Sequence, residues 1–267
     1  MGCHERIDRA LEGALHLPLY ACSRYVVISD CHRGEGTAND NFLKNEYLYF
    51  AALEHYWKRG FYYLELGDGE ELWENRSMER IYQCHEDVYK LIDCFAKSGR
   101  LQQLYGNHDM ELREWRREAI ILDNKEGGRD ICMLHGHQAD FFNSVCWRLA
   151  RFLVRYLWKP LERFGINDPT SAARNYKKAV RYEKCLEDWT RKHDRYLAAG
   201  HSHRPRLRSE PEEFLYLNAG SCIHPGSITA IEIEGMELTL VKWKVATRMD
   251  LSLYVTKEML AGPISVE

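Results

Sequence analysis

The chain has 267 residues, of which 45% are hydrophobic and 29% are charged, so it can bury a full core. This composition excludes a disulfide-stapled miniprotein and a disordered chain. The formal net charge of −3 gives no whole-chain signature of nucleic-acid or membrane-surface binding. The nine cysteines include no CxxC pair, which excludes a zinc ribbon, and we expect reduced thiols in a cytosolic protein.

Strands and helices are predicted to alternate along the first half of the chain. The strand patterns cover residues 25–29, 61–66, 101–105, 119–122 and 129–134, and the helical patterns cover residues 42–58, 78–97 and about 111–118. Residues 141–195 are wholly helical in pattern, with a break at Gly165 and Pro169. Strand patterns return at residues 196–199, 214–217, 228–233 and 236–245. This order predicts a layered α/β domain whose second sheet is mainly antiparallel, with residues 141–195 as an insertion.

The sequence shows neither the pattern of a secretory signal nor that of a membrane span. Residues 1–10 carry several charges and no apolar stretch, so we expect no secretory signal. The longest apolar stretches are interrupted by arginine and fall well short of the roughly 20 residues that a membrane span needs.

Five of the predicted strands end in Asp, Asn or His. These corners are Asp30-Cys31-His32, Gly67-Asp68, Gly106-Asn107-His108-Asp109, His135-Gly136-His137 and Gly200-His201-Ser202-His203. The carboxyl ends of strands in an open α/β sheet line one edge, so we expect these side chains to meet. A single histidine at such a corner is more often structural, but six of the twelve histidines fall here. The mixed nitrogen and oxygen set suits Zn, Fe or Mn and is large enough for two adjacent metals.

In this order, the motifs D-x-H, G-D, G-N-H-D, H-G-H and G-H-x-H resemble those of the calcineurin-like metallophosphoesterase superfamily, over residues 25–245. The resemblance implies an α/β (α+β layered) fold, a four-layer αββα sandwich formed by residues 1–267 and interrupted by the helical insertion. The segments GDGEELW (67–73) and GHSHRP (200–205) are similar to motifs of the UDP-2,3-diacylglucosamine diphosphatases. Two positions differ from those hydrolases, which typically have Arg at position 108 and Asp at position 137.

Carried over position by position, the resemblance implies two divalent metal ions, with Mn expected and Fe or Zn as alternatives. One ion would be held by Asp30, His32, Asp68 and His203, and the other by Asp68, Asn107, His135 and His201. His108 would donate a proton to the leaving oxygen. Asp109 either orients the His108 ring or stabilises its own loop as a hydrogen-bond acceptor. We expect Glu71 to be a structural acceptor, and Cys31 to point away from the metals.

The insertion is basic although the chain is not. Residues 141–195 contain 13 Lys and Arg against 6 Asp and Glu, a balance of +7, whereas the remainder has 24 against 34, or −10. On a helix predicted over residues 144–159, Arg148, Arg151, Arg155 and Lys159 share one face beside an apolar stripe. The insertion is either a helical pair with a solvated basic face or a lid that contacts phosphates and acyl chains or an anionic membrane. The candidate substrate contacts are Arg33, His137, Arg148, Arg151, Asn175 and Lys178.

The leading hypothesis is two-metal hydrolysis of a phosphoester or pyrophosphate bond by a metal-activated water. The substrate would be a phosphorylated small molecule or lipid, such as a glycolipid or a UDP-sugar-like molecule. The alternatives are a protein Ser/Thr phosphatase, a nucleotide phosphodiesterase, and a non-catalytic metal-binding scaffold. We expect no stable nucleic-acid complex, because no long basic stripe lies outside the insertion. We expect a cytoplasmic protein, with peripheral membrane contact through the insertion.

Overall fold

The computed structural model describes residues 1–37, 40–158, 176–207 and 215–266. Asn175, Lys159 and the break predicted at Gly165 and Pro169 lie outside these residues. Within them, no helix combines the length and the apolar character needed to cross a membrane.

The helices follow the predicted order, with one addition at the start of the chain. They are α1 (Cys3–Glu12), α2 (Glu46–Lys58), α3 (Met78–Cys84), α4 (Glu86–Lys97), α5 (Phe141–Val145), α6 (Trp147–Leu153) and α7 (Tyr176–His193). Short 3₁₀ turns cover Phe42–Asn45, Met110–Glu114 and His137–Ala139, and a π-helical turn covers Val154–Trp158. The helix predicted over residues 78–97 is divided at His85, which separates α3 from α4. The helix predicted over residues 144–159 is similarly divided at Cys146.

The strands form two mixed sheets. They are β1 (Leu15–Leu19), β2 (Arg24–Ile28), β3 (Tyr62–Leu66), β4 (Leu101–Leu104), β5 (Ala119–Asn124), β6 (Ile131–Leu134), β7 (Tyr196–Ala199), β8 (Tyr216–Asn218), β9 (Ser227–Glu234), β10 (Glu237–Thr247) and β11 (Leu253–Ser265). The five-strand sheet has the order β1-β5-β6-β7-β8, and the six-strand sheet has the order β11-β10-β9-β2-β3-β4. The sequence did not predict α1, β1 or β11.

The last four predicted strands do not form one sheet of their own. Strands β7 and β8 join the five-strand sheet in parallel, while β9 and β10 join the six-strand sheet as an antiparallel hairpin. In the six-strand sheet, β2, β3 and β4 are parallel and β9, β10 and β11 are antiparallel. Parallel neighbours need long crossover connections, and the insertion between β6 and β7 is such a connection. The chain changes from one sheet to the other between β1 and β2, between β4 and β5, and between β8 and β9.

The two sheets pack face to face between layers of helix, which confirms the predicted αββα layering. One apolar cluster lies between the sheets and includes Val27, Leu64 and Met133. A second covers the outer face of the six-strand sheet and includes residues of α2 and α4, and a third places α1 and α7 on the outer face of the five-strand sheet. The alternation of side chains along each strand produces this division, since Val26 and Val27 of β2 belong to different clusters.

A disulfide joins Cys3 of α1 to Cys185 of α7. The expectation that all nine cysteines are reduced is therefore wrong for this pair. The other seven are free thiols, and Cys31, Cys132 and Cys222 among them are buried. The bond ties the first helix of the chain to the helix that ends the insertion.

Candidate metal centre

The five corners lie at the carboxyl ends of β2, β3, β4, β6 and β7, and the chain turns sharply at each. Five of the predicted ligands have a left-handed backbone, with φ of 54° at Asp30, 50° at His32, 50° at Asp68, 65° at His201 and 56° at His203. A non-glycine residue in such a conformation costs on the order of 1–3 kcal/mol and persists only where the surrounding structure fixes it. The strain is therefore concentrated at the predicted site, since only three other non-glycine residues of the described chain share it.

Two glycines make room for the carboxylates. A Cβ atom on Gly106 would lie 2.2 Å from Asp68 Oδ1, and one on Gly200 would lie 2.3 Å from Asp30 Oδ2. Both distances are far below van der Waals contact. Glycine is needed at these two corners because the neighbouring carboxylate occupies the space of a side chain.

Asp30, His32 and His203 form the first ligand group. His203 Nε2 lies 3.0 Å from Asp30 Oδ1, and His32 Nε2 lies 3.8 Å from the same oxygen. The two Nε2 atoms are 3.3 Å apart, so both imidazoles are aimed at one point. Asp30 Oδ1 is buried, and no described residue meets it with hydrogen-bond geometry, although His203 Nε2 is close. A divalent cation would satisfy this oxygen and both ring nitrogens.

Asp68, Asn107, His135 and His201 form the second group. His135 Nδ1 donates to the Leu66 carbonyl at 2.8 Å, which leaves Nε2 to face the site. That Nε2 lies 3.2 Å from both Asp68 Oδ2 and Asn107 Oδ1. Because Asp68 Oδ2 is also 3.8 Å from His32 Nε2, this carboxylate faces both groups. The donor set is the nitrogen and oxygen mixture that Mn, Fe and Zn accept.

The buried carboxylates give the site a strongly negative field. Burial alone would raise the pKa of Asp68, but the charges of His135 and His108 outweigh it and hold that pKa well below its usual range. Burial likewise disfavours the charged form of His135, yet Asp68 and Asp30 raise its pKa to about 9. The field that stabilises an imidazolium here would equally stabilise a bound cation.

Glu71 connects the first group to the predicted proton donor. Its Oε2 lies 2.8 Å from His32 Nδ1, and its Oε1 lies 2.8 Å from His108 Nδ1. Burial would lower the pKa of His108, but the charges of Glu71 and Asp68 raise it. His108 keeps 24% of its side chain exposed, so its Nε2 is the ring nitrogen available to a ligand. Glu71 orients this ring, a role that sequence reasoning did not assign to it.

Asp109 does not orient His108. Its carboxylate accepts from the backbone N–H groups of Gly106 at 2.5 Å and Gly69 at 3.0 Å, and pairs with Arg116 at 2.9 Å. Burial, together with the charges of Asp68 and Glu70, raises the pKa of Asp109 to about 6 against the opposing effect of Arg116. These contacts match the alternative in which Asp109 stabilises the loops that carry the ligands.

Arg33 is held in a buried set of ion pairs. It has no exposed surface, and its Nη2 pairs with Glu65 at 2.7 Å and with Glu70 at 2.9 Å. A substrate contact needs exposed surface, so this placement does not fit the role predicted for Arg33. The ion pairs assign it instead to the support of the loop that follows His32.

His137 and Lys178 lie beside the second ligand group. His137 is 2% exposed, and its ring lies 5.5 Å from that of His135. Burial and the charges of His135 and His201 lower the pKa of His137, which favours a neutral ring. Lys178 Nζ pairs at 2.7 Å with Asp140, whose Oδ2 is 3.7 Å from His201 Nε2. A substrate contact through either residue stays a prediction.

The arginines of the insertion have different surroundings. Arg148 lies over the Trp147 ring, 5.4 Å from its centroid, and is exposed. Arg151 forms an ion pair with Glu111. Arg155 donates to backbone carbonyls of the loop that follows Glu71. Their roles toward a substrate also stay predictions.

The comparisons with known proteins yield similarities of structure only. No family model matches the sequence, and no curated protein matches it. The structure is similar to that of Chaetomium thermophilum Vps29, with 16% identity, 90% of this chain and 97% of that chain covered, and a TM-score of 0.46. It is also similar to a cold-active protein tyrosine phosphatase, with 13% identity, 93% and 80% covered, and a TM-score of 0.45.

Proposed function

We propose that this chain is a metal-dependent phosphohydrolase with two divalent cations, Mn being the expected metal. The observation that supports this most strongly is the position of Asp68, whose Oδ2 faces His135 Nε2 at 3.2 Å and His32 Nε2 at 3.8 Å. A carboxylate between two ligand groups is the arrangement that a two-metal site needs. Cations held there would polarise a phosphoryl group and lower the pKa of an attacking water.

The residues of the chain would hold the two cations and supply one proton. Asp30, His32 and His203 would hold one cation, and Asn107, His135 and His201 the other. His108 donates a proton from Nε2 to the departing oxygen, because its Nδ1 is engaged by Glu71 at 2.8 Å. The Glu71 carboxylate accepts from this Nδ1 and would stabilise the protonated ring that the role requires.

The insertion supports a phosphorylated lipid or small molecule as the substrate. Apolar side chains that are each more than half exposed follow one another along it, namely Phe141, Val145, Leu149, Phe152 and Tyr156. Their spacing is that of one helix face, and the exposed Arg148 lies on the same segment. We propose that this face contacts acyl chains or the surface of an anionic membrane, which would place a cytoplasmic protein at the membrane's inner face.

Metal reconstitution followed by activity assays tests the proposed function. The chelator-treated protein is loaded with Mn²⁺, Zn²⁺ or Fe²⁺ and assayed with p-nitrophenyl phosphate, bis(p-nitrophenyl) phosphate, a UDP-sugar and a diacylglycerol phosphate. We expect metal-dependent hydrolysis, reduced by at least about 10³-fold in Asp68→Asn and unchanged in the exposed-site control Asp87→Asn. A metal-loaded protein that hydrolyses none of these substrates would be a scaffold and would contradict the proposal.

A further inference from the structure

We propose that the helical insertion positions the proton donor, with Arg155 holding Trp73 against the His108 ring. This inference rests on the proposed function, since it assigns a part of the fold to the proton transfer at His108. It is carried by a continuous set of contacts from the insertion, through Trp73, to that ring.

Trp73 lies between the insertion and His108. Its indole stacks on the His108 ring with a centroid separation of 4.4 Å and an angle of 21° between the planes. It also packs with Ala150 and Val154 of the insertion, and only 3% of Trp73 is exposed. The same side chain therefore contacts both the catalytic ring and the insertion.

Arg155 fixes the backbone on either side of Trp73. Its Nε donates to the Trp73 carbonyl at 2.8 Å, and its Nη2 donates to the Leu72 carbonyl at 2.6 Å and to the Asn75 carbonyl at 3.2 Å. A planar guanidinium can reach three carbonyls at once, which a single ammonium group cannot do with the same geometry. Arg155 thus ties the insertion to the segment that carries both Glu71 and Trp73.

The indole has little else to hold it. Trp73 Nε1 is buried and has no hydrogen-bond partner among the described residues, so packing alone sets the plane of the ring. Glu71 fixes His108 Nδ1 at 2.8 Å, but a single hydrogen bond leaves the imidazole free to tilt about it. The stacked indole prevents this tilt on one face of the imidazole. The His32 ring lies nearly perpendicular to the imidazole, with the two ring centroids 4.7 Å apart. His108 Nε2 is aimed correctly only while Trp73 stays in place.

The chemical consequence depends on the leaving group. An alkoxide or phenoxide needs a proton as it departs, whereas p-nitrophenoxide is stable without one. Loosening Trp73 should therefore slow the hydrolysis of phenyl phosphate much more than that of p-nitrophenyl phosphate, although the two esters have nearly the same shape. A loss of general stability would slow both reactions together. The ratio of the two rates thus separates positioning from folding.

The experiment measures kcat for both esters in the Mn-loaded full chain. We expect Arg155→Met to lower kcat for phenyl phosphate by about 10-fold, a part of the 10²–10⁴-fold that general acid catalysis contributes, and kcat for p-nitrophenyl phosphate by less than about two-fold. Arg181→Met, a change at an exposed arginine of the same insertion, is the matched control and should alter neither rate. Bound metal, measured alongside, should be unchanged in both variants.

A double-mutant comparison completes the test. In a His108→Ala background, Arg155→Met should add no further selectivity between the esters, because the group it positions is gone. If Arg155→Met does not fold, Trp73→Leu replaces it in the experiment. Trp73→Phe keeps a stacked ring and should keep most of the activity that Trp73→Leu loses. Equal losses on both esters, no loss on either, or the same selectivity without His108 would each overturn the inference. A wild-type protein inactive on both esters would instead contradict the proposed function itself.

Discussion

Glu71 Oε1 lies 2.8 Å from His108 Nδ1, although 37 positions separate the two residues in the chain. The second oxygen of the same carboxylate lies 2.8 Å from His32 Nδ1. One buried acid therefore orients both a predicted metal ligand and the proposed proton donor. Carboxylate partners of this kind fix the tautomer and the direction of an imidazole.

Glu71→Gln should reduce turnover more than metal binding. The amide is neutral and offers a single acceptor oxygen, so both rings lose their anionic partner and one of them also loses its hydrogen-bond acceptor. We expect kcat to fall by about 10–100-fold while both cations stay bound, since the predicted ligands remain. Steady-state kinetics with metal analysis of the same sample checks this, with Glu79→Gln at an exposed helix position as the control. Loss of a cation in Glu71→Gln would instead make Glu71 a ligand.

Asp109→Asn should reduce stability rather than act through His108. The buried carboxylate accepts from two backbone N–H groups and pairs with Arg116 at 2.9 Å, so the change leaves a buried guanidinium with a weaker partner. We expect a loss of about 3 kcal/mol in the free energy of unfolding. Urea unfolding in the presence of a chelator measures it, with Asp87→Asn at an exposed position as the control. Unchanged stability combined with lost turnover would favour the role in which Asp109 acts on the His108 ring.

The sequence predicted the members of the site but not all of their partners. Motif order predicted that the corners form one site, because Asp, Asn and His recur at five strand ends. It could not tell that Glu71 rather than the adjacent Asp109 reaches His108, since this depends on how two loops cross. Arg33 was similarly predicted as a substrate contact, yet its guanidinium is buried in ion pairs with Glu65 and Glu70.

Tertiary contacts also explain the elements that the local sequence pattern did not predict. β1 contains Pro18 and pairs with β5 from a distant part of the chain, and β11 contains Gly262 and Pro263. Local pattern is weak in such strands, because a partner strand supplies most of their stability. The helix predicted over residues 78–97 breaks at His85, whose ring is bonded on both sides to distant carboxylates.

That histidine should make stability depend on pH. His85 Nε2 lies 2.9 Å from Asp40 Oδ2 and its Nδ1 lies 2.9 Å from Glu46 Oε1, with the thiol of Cys84 alongside. Burial opposes the charged ring, but the bonds to Asp40 and Glu46 raise the pKa of His85 above its usual value. Burial would also raise the pKa of Asp40, yet the bonds from His85 and Gly36 lower it.

The pKa shifts of His85 and Asp40 set how the free energy of unfolding changes with pH. A raised histidine pKa contributes stability that is complete below about pH 6.5 and is lost as the pH rises through the folded value. The lowered pKa of Asp40 contributes stability above about pH 3.8 that is lost on further acidification. We expect His85→Gln to cost about 3 kcal/mol near pH 5.5, and less at each step toward pH 9. Urea unfolding of both proteins across this range measures the difference, and a cost that does not change with pH would contradict a charged His85.

The number of cations bound per chain shows whether two metals share Asp68. The chelator-treated protein is titrated with Mn²⁺, and the bound metal is counted by elemental analysis. Because Asp68 faces both ligand groups, we expect about two equivalents in the wild type and weaker binding of both in Asp68→Ala, with the exposed-site control Asp87→Ala like the wild type. A single equivalent in the wild type, or two equivalents bound equally tightly by Asp68→Ala, would contradict a two-metal site that shares Asp68.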